Sequence, residues 1–196
     1  FLRGYGNTHF NELTIRDGDI RRHLFFTSAF FGYGYTVDGN EIVVDKRNAA
    51  GGPFLEEFDE EVCREFSGLY HVTQQQIEDV QNDYADGGVN SNQHPEIFGW
   101  PGRNNRYFKN YNYTGIEIPE DKYLAPWVDL NQNGNYDPNE GEYPDINGES
   151  MYWAINSNSF LIFSSTFNSG FELRNSYIFP EAESDIFYVK TAFTNK

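Results

Sequence analysis

The feature that most constrains the fold is the stretch from residue 86 to residue 150, which is rich in Asn, Gly, Pro and Asp and has almost no hydrophobic periodicity. A connection of that length is too long for an ordinary loop inside a compact domain, so something other than regular secondary structure must order it. Patterned segments flank it on both sides. The architecture therefore has to hold two blocks of strands and accommodate a long insertion.

In the first block, Leu13, Ile15 and Ile20 alternate around an Asp17-Gly18-Asp19 turn. An aromatic run through Phe25, Phe26, Phe30, Phe31, Tyr33 and Tyr35 then leads by Val37-Asp38-Gly39-Asn40 into Ile42-Val43-Val44. Asp-Gly between two β-rich runs predicts a hairpin, because a type I′ turn needs positive φ at both central positions. In the last block, β-like runs cover 151–156, 159–167, 171–179 and 185–194, with Asn168-Ser169-Gly170 as a tight turn between the middle two. Residues 59–67 read as a short helix with Val62, Cys63 and Phe66 on one face. Residues 73–84 read as a second helix: Thr73 and Gln76 fit a capping box, Val72 and Ile77 occupy the staple positions, and Gly87-Gly88 lies past the end. Ile77, Val80 and Tyr84 follow at spacings of three and four. The expected fold is mainly β: an antiparallel β-sandwich forming a single domain over residues 1–196. Strand blocks 11–46 and 151–196 would bracket an insertion over 47–150 that carries one short helix and a calcium-type loop. Starting at Phe1 and ending at Lys196, without initiator Met or signal peptide, the sequence reads as an internal segment of a much longer chain.

Charge narrows the partners. Lys and Arg number 14 against 30 Asp and Glu, a formal net charge of -16. Nucleic acid and anionic lipid both call for basic patches, so neither is expected as a partner. The longest apolar cluster, from Leu24 to Tyr35, is interrupted by Thr27, Ser28, Gly32 and Gly34. It is too broken for a membrane span, and no membrane insertion is expected. The lone cysteine, Cys63, forbids an internal disulfide. Apolar content resides mostly in 18 Phe, 14 Tyr and 3 Trp, large rings that favour strands.

Within the aperiodic stretch, Asp129-Leu130-Asn131-Gln132-Asn133-Gly134-Asn135-Tyr136-Asp137-Pro138-Asn139-Glu140 matches a twelve-residue EF-hand loop. Asp129, Asn131, Asn133 and Asp137 offer side-chain oxygens at places one, three, five and nine, and Asn135 offers its carbonyl at seven. Gly134 makes the sharp turn at six and Glu140 closes the site at twelve. Hard oxygen ligands at this spacing suit Ca2+. Pro126-Trp127-Val128 before the loop and Gly141-Glu142-Tyr143-Pro144 after it are not helical, so the pattern predicts a structural loop that staples the insertion. The competing account is a metal-free Asn- and Gly-rich turn. A second oxygen-rich cluster, Asp145, Asn147 and Glu149, reads as an ordinary turn.

Catalytic chemistry finds little support. His9, His23, His71 and His94 are scattered without helical pairing, which argues against zinc. Cys63 sits among Glu61, Arg64 and Glu65 and reads as core. Gly32-Tyr33-Gly34 lacks the third glycine of a dinucleotide motif. The acidic runs at Glu56-Glu57, Asp59-Glu60-Glu61 and residues 117–121 read as solvated loops. Trp100, Tyr107, Phe108, Tyr111 and Tyr113 are open to two readings, as stacking platforms for sugars or a subunit, or as rings buried under the insertion. Asn112-Tyr113-Thr114 matches a glycosylation sequon too short to carry weight.

The segment from Leu124-Ala125-Pro126-Trp127-Val128-Asp129 to Gly141-Glu142-Tyr143-Pro144-Asp145-Ile146-Asn147-Gly148 resembles one that recurs in large secreted surface proteins of Bacteroidota exported by the type IX secretion system. Those read approximately Leu-Ala-Pro, then Val-Asp-x-Asn-x-Asp-Gly-x-Tyr-x-Pro, then Gly-Asp-Tyr-Pro. The resemblance extends to Tyr70-His71-Val72-Thr73 through Ile77, to Trp100-Pro101-Gly102, and to Ile186-Phe187-Tyr188-Val189-Lys190 through Asn195-Lys196, covering about residues 25–196. Asn133 and Glu142 stand where the family usually has Asp. The resemblance implies an extracellular, cell-surface protein of adhesin or appendage type, and it offers no catalytic residue. The expected function is thus a non-enzymatic structural or adhesive domain, stabilised by Ca2+ at Asp129, Asn131, Asn133, Asn135, Asp137 and Glu140. Its expected partners are copies of itself as a homo-oligomer or neighbouring domains, with a surface glycan or a prey or host cell surface as a further target. The alternative is a carbohydrate-binding module or a glycan-degrading enzyme domain.

Overall fold

The structure is a computed structural model that describes residues 13–17, 20–25, 32–35, 39, 41–44, 50–55, 59–66, 68–112, 114–119, 122–157, 171–181 and 186–195. Its chain divides into two compact units. One comprises Phe1–Leu69, Ile155–Leu173 and Phe193–Lys196, the other Tyr70–Ala154 and Arg174–Ala192.

In the first unit, strands β1 (Leu13–Asp17) and β2 (Ile20–Phe25) form an antiparallel pair with Asp17 opposite Ile20, so the expected turn falls between two strands. Strands β3 (Gly32–Tyr35) and β4 (Glu41–Val44) form a second antiparallel pair. Tyr35 lies opposite Glu41, so residues 36–40 connect them and the hairpin is longer than a two-residue turn. Strand β5 (Ala50–Gly51) precedes helix α1 (Glu60–Glu65). Asp59 starts that helix by accepting the amides of Glu61 and Val62 at 2.9 and 3.1 Å. Such a cap satisfies donors that the first helical turn leaves unpaired. Val62 and Phe66 are buried beneath it.

The second unit begins with strand β6 (Tyr70–Thr73), which runs directly into helix α2 (Gln74–Ala85). Thr73 and Gln76 form the capping box expected from the sequence. The Gln76 amide donates to Thr73 Oγ1 at 3.2 Å, and the Thr73 amide donates to Gln76 Oε1 at 2.9 Å. Val72, Ile77 and Val80 are buried, whereas Tyr84 is exposed. Replacing Thr73 by Ala removes one half of the box, and the expected loss is about 1 kcal/mol in a urea unfolding titration. Two short helices, α3 (Pro95–Phe98) and α4 (Phe108–Tyr111), and the antiparallel strands β7 (Trp127–Val128) and β8 (Tyr143–Pro144) lie in the stretch that lacks periodicity. Strand β9 (Ser150–Ser157) pairs antiparallel with β6, with Tyr70 opposite Trp153 and Thr73 opposite Ser150. Strand β10 (Phe171–Phe179) lies beside β9, and β11 (Tyr188–Asn195) beside β10. The last two residues of β9 pair with β5 within the first unit.

The expected antiparallel β-sandwich is not what forms. The described residues build a mixed α/β arrangement of small open sheets, with α2 and α3 against β6 in place of a second facing sheet. The error has a local origin. Tyr70-His71-Val72-Thr73 reads in sequence as the lead-in to a helix, yet it is also a strand that takes a place beside β9. Once a strand runs straight into a helix, that helix is held over the sheet, and the supposed insertion becomes part of the core layer. The run at 159–167 and the turn at 168–170 lie outside the described residues.

Candidate metal centre

Aromatic burial and side-chain-to-backbone bonds order the aperiodic stretch. Trp100 and Phe108 are fully buried, and Trp100 lies 6.4 Å from the Trp153 ring of β9. Its Nε1 donates to the Pro126 carbonyl at 2.9 Å, which ties segments 26 positions apart. Buried Asn105 donates to the carbonyls of Phe98 and Trp100, both at 2.8 Å. Tyr136 is buried too: its amide donates to the Arg103 carbonyl and its hydroxyl to the Ile97 carbonyl, each at 2.8 Å. Burial, with Glu142 and Asp137 adding, pushes the Tyr136 hydroxyl well above its usual pKa. These bonds satisfy backbone groups that would otherwise be buried unpaired.

The Asp129 loop hangs from this framework at Tyr136. The Asn133 amide donates to Asp129 Oδ1 at 3.2 Å and to Asn131 Oδ1 at 3.0 Å. Asp129 Oδ2 accepts the Gly134 amide at 2.8 Å, and Asn133 Oδ1 accepts the Asn135 amide at 2.7 Å. Local bonds of this kind are what Asx side chains form in tight turns. Gly134 has φ +76°, a conformation glycine adopts at little cost, and Gln132 has φ +61°. Asp129, Asn131 and Asn133 thus converge on one short stretch of backbone.

Of the other three residues of the expected ligand set, Asn135 is expected to serve through its backbone carbonyl, so its side chain can bond elsewhere. The Asn135 side-chain oxygen accepts from Asn104 at 2.6 Å. Asp137 caps the 3-10 turn Pro138–Glu140 by accepting the Asn139 amide at 3.0 Å, and its second oxygen pairs with Arg106 at 2.7 Å. Glu140 is exposed. The Tyr107 hydroxyl first, then Asp137 and, more weakly, Glu140 raise the pKa of the Arg106 guanidinium.

Glu142, outside the expected ligand set, also lies beside this loop. It is fully buried, one oxygen accepts the Asp137 amide at 2.8 Å, and Oε1 has no hydrogen-bond partner. Burial pushes its carboxyl up, the amides of Asp137 and Asn131 and, more weakly, Leu130 oppose the shift, and the Asp129 carboxylate adds to it. A sequence signal for it existed, in the Gly-Glu-Tyr-Pro segment that follows the loop.

Among the described residues, no group of three or more His, Cys, Asp or Glu is arranged to hold a metal ion. Two of the three converging residues are Asn, so a site here would draw on amide oxygens as well as carboxylates.

The remaining sequence candidates are engaged in packing. His71 stacks on Tyr152 with ring centroids 4.1 Å apart, and buried His94 bonds Asp83 at 2.8 Å. Burial, with Asp59 adding, pushes the Cys63 thiol up to about 11, far from the reactive thiolate. Asn112 bonds the Ile116 carbonyl and the Gly115 amide. In the Asp145–Glu149 turn, the Glu149 amide donates to the Phe179 carbonyl at 2.9 Å and its carbonyl accepts from Gln74. His9 and Tyr113 lie outside the described residues, and His23 is a backbone position of β2 opposite Thr14. Among the described residues, no helix is long and apolar enough to cross a membrane.

No family model, no curated protein and no solved structure matches this chain.

Proposed function

We propose that the chain is a non-enzymatic, calcium-stabilised structural domain of a large secreted protein displayed at the cell surface, serving in an appendage or adhesin. The observation that carries this reading is the attachment of the Asp129–Asn133 turn to a buried aromatic framework through Tyr136. A cation bound there would stiffen the whole stretch from Trp100 to Tyr143 and not merely a surface loop. Stiffening by Ca2+ is the contribution such a loop makes in extracellular modules. Of the rings open to a carbohydrate-binding alternative, Trp100 and Phe108 are fully buried and unable to stack on a sugar, whereas Tyr107 and Tyr111 are half-buried. Among the described residues, His94 is paired with Asp83 and Asp137 with Arg106. Partners in this reading are copies of the chain or neighbouring domains of the same protein.

Electron microscopy of the native protein released from cells, in calcium and after chelation, tests the proposal. A regular multimeric assembly that loosens on chelation is the expected result. Unassembled particles indifferent to chelation would overturn both the structural role and the role of calcium.

A further inference from the structure

Four carboxylates stand in or beside the Asp129 loop. Asp137 pairs with Arg106 and also caps a turn, and Glu140 is exposed. Asp129 and Glu142 form no ion pair among the described residues, and the Arg103 guanidinium comes within 4.0 Å of where a Cβ on Gly134 would stand. Asp129 is satisfied by the Asn133 and Gly134 amides. Glu142 is wholly buried with one oxygen bonded to the Asp137 amide and the other without a partner.

A buried carboxylate oxygen without a well-formed hydrogen bond is costly even with the Asn131 and Leu130 amides nearby, and a second carboxylate close by makes the charged form costlier still. Native proteins resolve that arrangement with a proton or a cation. The surroundings favour a cation: Asn131 and Asn133 add uncharged oxygens at the same turn, which a proton would not need and a hard divalent ion does.

We infer that Glu142, and not Glu140, is the carboxylate that closes a calcium site on this chain, acting with Asp129, Asn131 and Asn133. The inference rests on the calcium reading above and changes its ligand set. A twelve-residue template assigns closure to Glu140, but the 3-10 turn Pro138–Glu140 and the left-handed Gly141 at φ +81° precede a residue whose carboxylate is buried against the loop. Glu142 lies two positions beyond the template's last place and is held there by the Asp137 amide. The charge available to the ion comes from Asp129 and Glu142 with amide oxygens around them, a set suited to affinity of the extracellular class, roughly 0.1 to 1 mM.

The test is calcium titration of the full chain by calorimetry, with melting curves in calcium and in chelator, for the wild type, Glu142→Gln, Glu140→Gln and Asp129→Asn. Glu142→Gln and Asp129→Asn are expected to weaken calcium binding on the order of 10- to 100-fold. Glu140→Gln is expected to bind as the wild type does. In chelator, Glu142→Gln is expected to melt no lower than the wild type, because a neutral amide replaces a buried charge. In calcium the order reverses, and a merely structural role for Glu142 would not produce that crossing. Weakened binding in Glu140→Gln with normal binding in Glu142→Gln would overturn the inference while leaving the calcium reading intact. Absence of binding by the wild type at millimolar calcium would overturn both. If Glu142→Gln does not fold, the remaining variants decide: loss of binding in Asp129→Asn alone supports the inference, and loss in Glu140→Gln rejects it.

Discussion

Replacing Trp100 by Ala is expected to destabilise the chain by about 3 to 5 kcal/mol, the usual range for removing a buried tryptophan. The ring is fully buried and lies 6.4 Å from Trp153, whose own ring is 5.9 Å from Tyr70. Deleting it opens a cavity between the sheet and the aperiodic stretch, where few neighbours can collapse because they are tied by hydrogen bonds. Domains of this size are stable by only about 5 to 15 kcal/mol in total, so the loss is a large share. Trp100→Phe separates packing from hydrogen bonding. The Pro126 carbonyl that accepts from Trp100 also accepts the Asp145 amide at 3.2 Å, so it keeps a partner in that variant. Trp100→Phe is therefore expected to cost about half as much or less. Urea unfolding of both variants checks the pair, and equal losses would show that the hydrogen bond, not the ring volume, dominates.

Gly102→Ala is expected to cost about 2 to 3 kcal/mol, lowering the melting temperature by roughly 5 to 10 °C. A Cβ at that position would stand 2.6 Å from Tyr136 Cγ and 2.7 Å from its Cβ. Ordinary carbon contacts are about 3.5 to 4.0 Å, so the ring has to retreat by about 1 Å. Tyr136 has little freedom to do so, being buried and anchored at the Arg103 and Ile97 carbonyls. Because Tyr136 also sits inside the Asp129 loop, the proposed calcium site predicts weaker calcium stabilisation in the same variant. Gly68→Ala is the control, since a Cβ there meets nothing within 4 Å. It is expected to change the melting temperature little, and a comparable fall in both variants would refute the collision argument.

Local chemistry was readable where a feature depends on residues close in sequence. The Thr73–Gln76 box with its buried Val72 and Ile77 needs only one turn of chain to be recognised, and the structure contains it. The same holds for helix α1 and for the pairing of β1 with β2 up to Asp17 and Ile20. The sandwich failed at the next level. Strand propensity says that a residue suits a pleated surface, but not which strand it will lie beside. Tyr70–Thr73 pairs with residues some 80 positions away, across helices that pattern reading could not see because α3 and α4 are too short to show a period.

The candidate site divides along the same line. Asp129, Asn131, Asn133 and Gly134 were legible by themselves, because Asx side chains at alternate positions and a left-handed glycine dictate a tight turn from within the turn. Which carboxylates around that turn are paired, exposed or buried was not legible. Asp137 and Glu140 match the template by spacing, but Arg106, more than 30 positions earlier, pairs with Asp137, and Glu140 is exposed. Burial of Glu142 likewise depends on the packing around Tyr136 and not on its place in the sequence. The sequence by itself determined the short-range turns, caps and oxygen-bearing side chains of the Asp129 loop, since their energetics close within a few neighbouring residues. Only the tertiary structure decided which strands pair, which rings are buried and which acids find a cation, because these depend on groups that meet only when distant segments fold together.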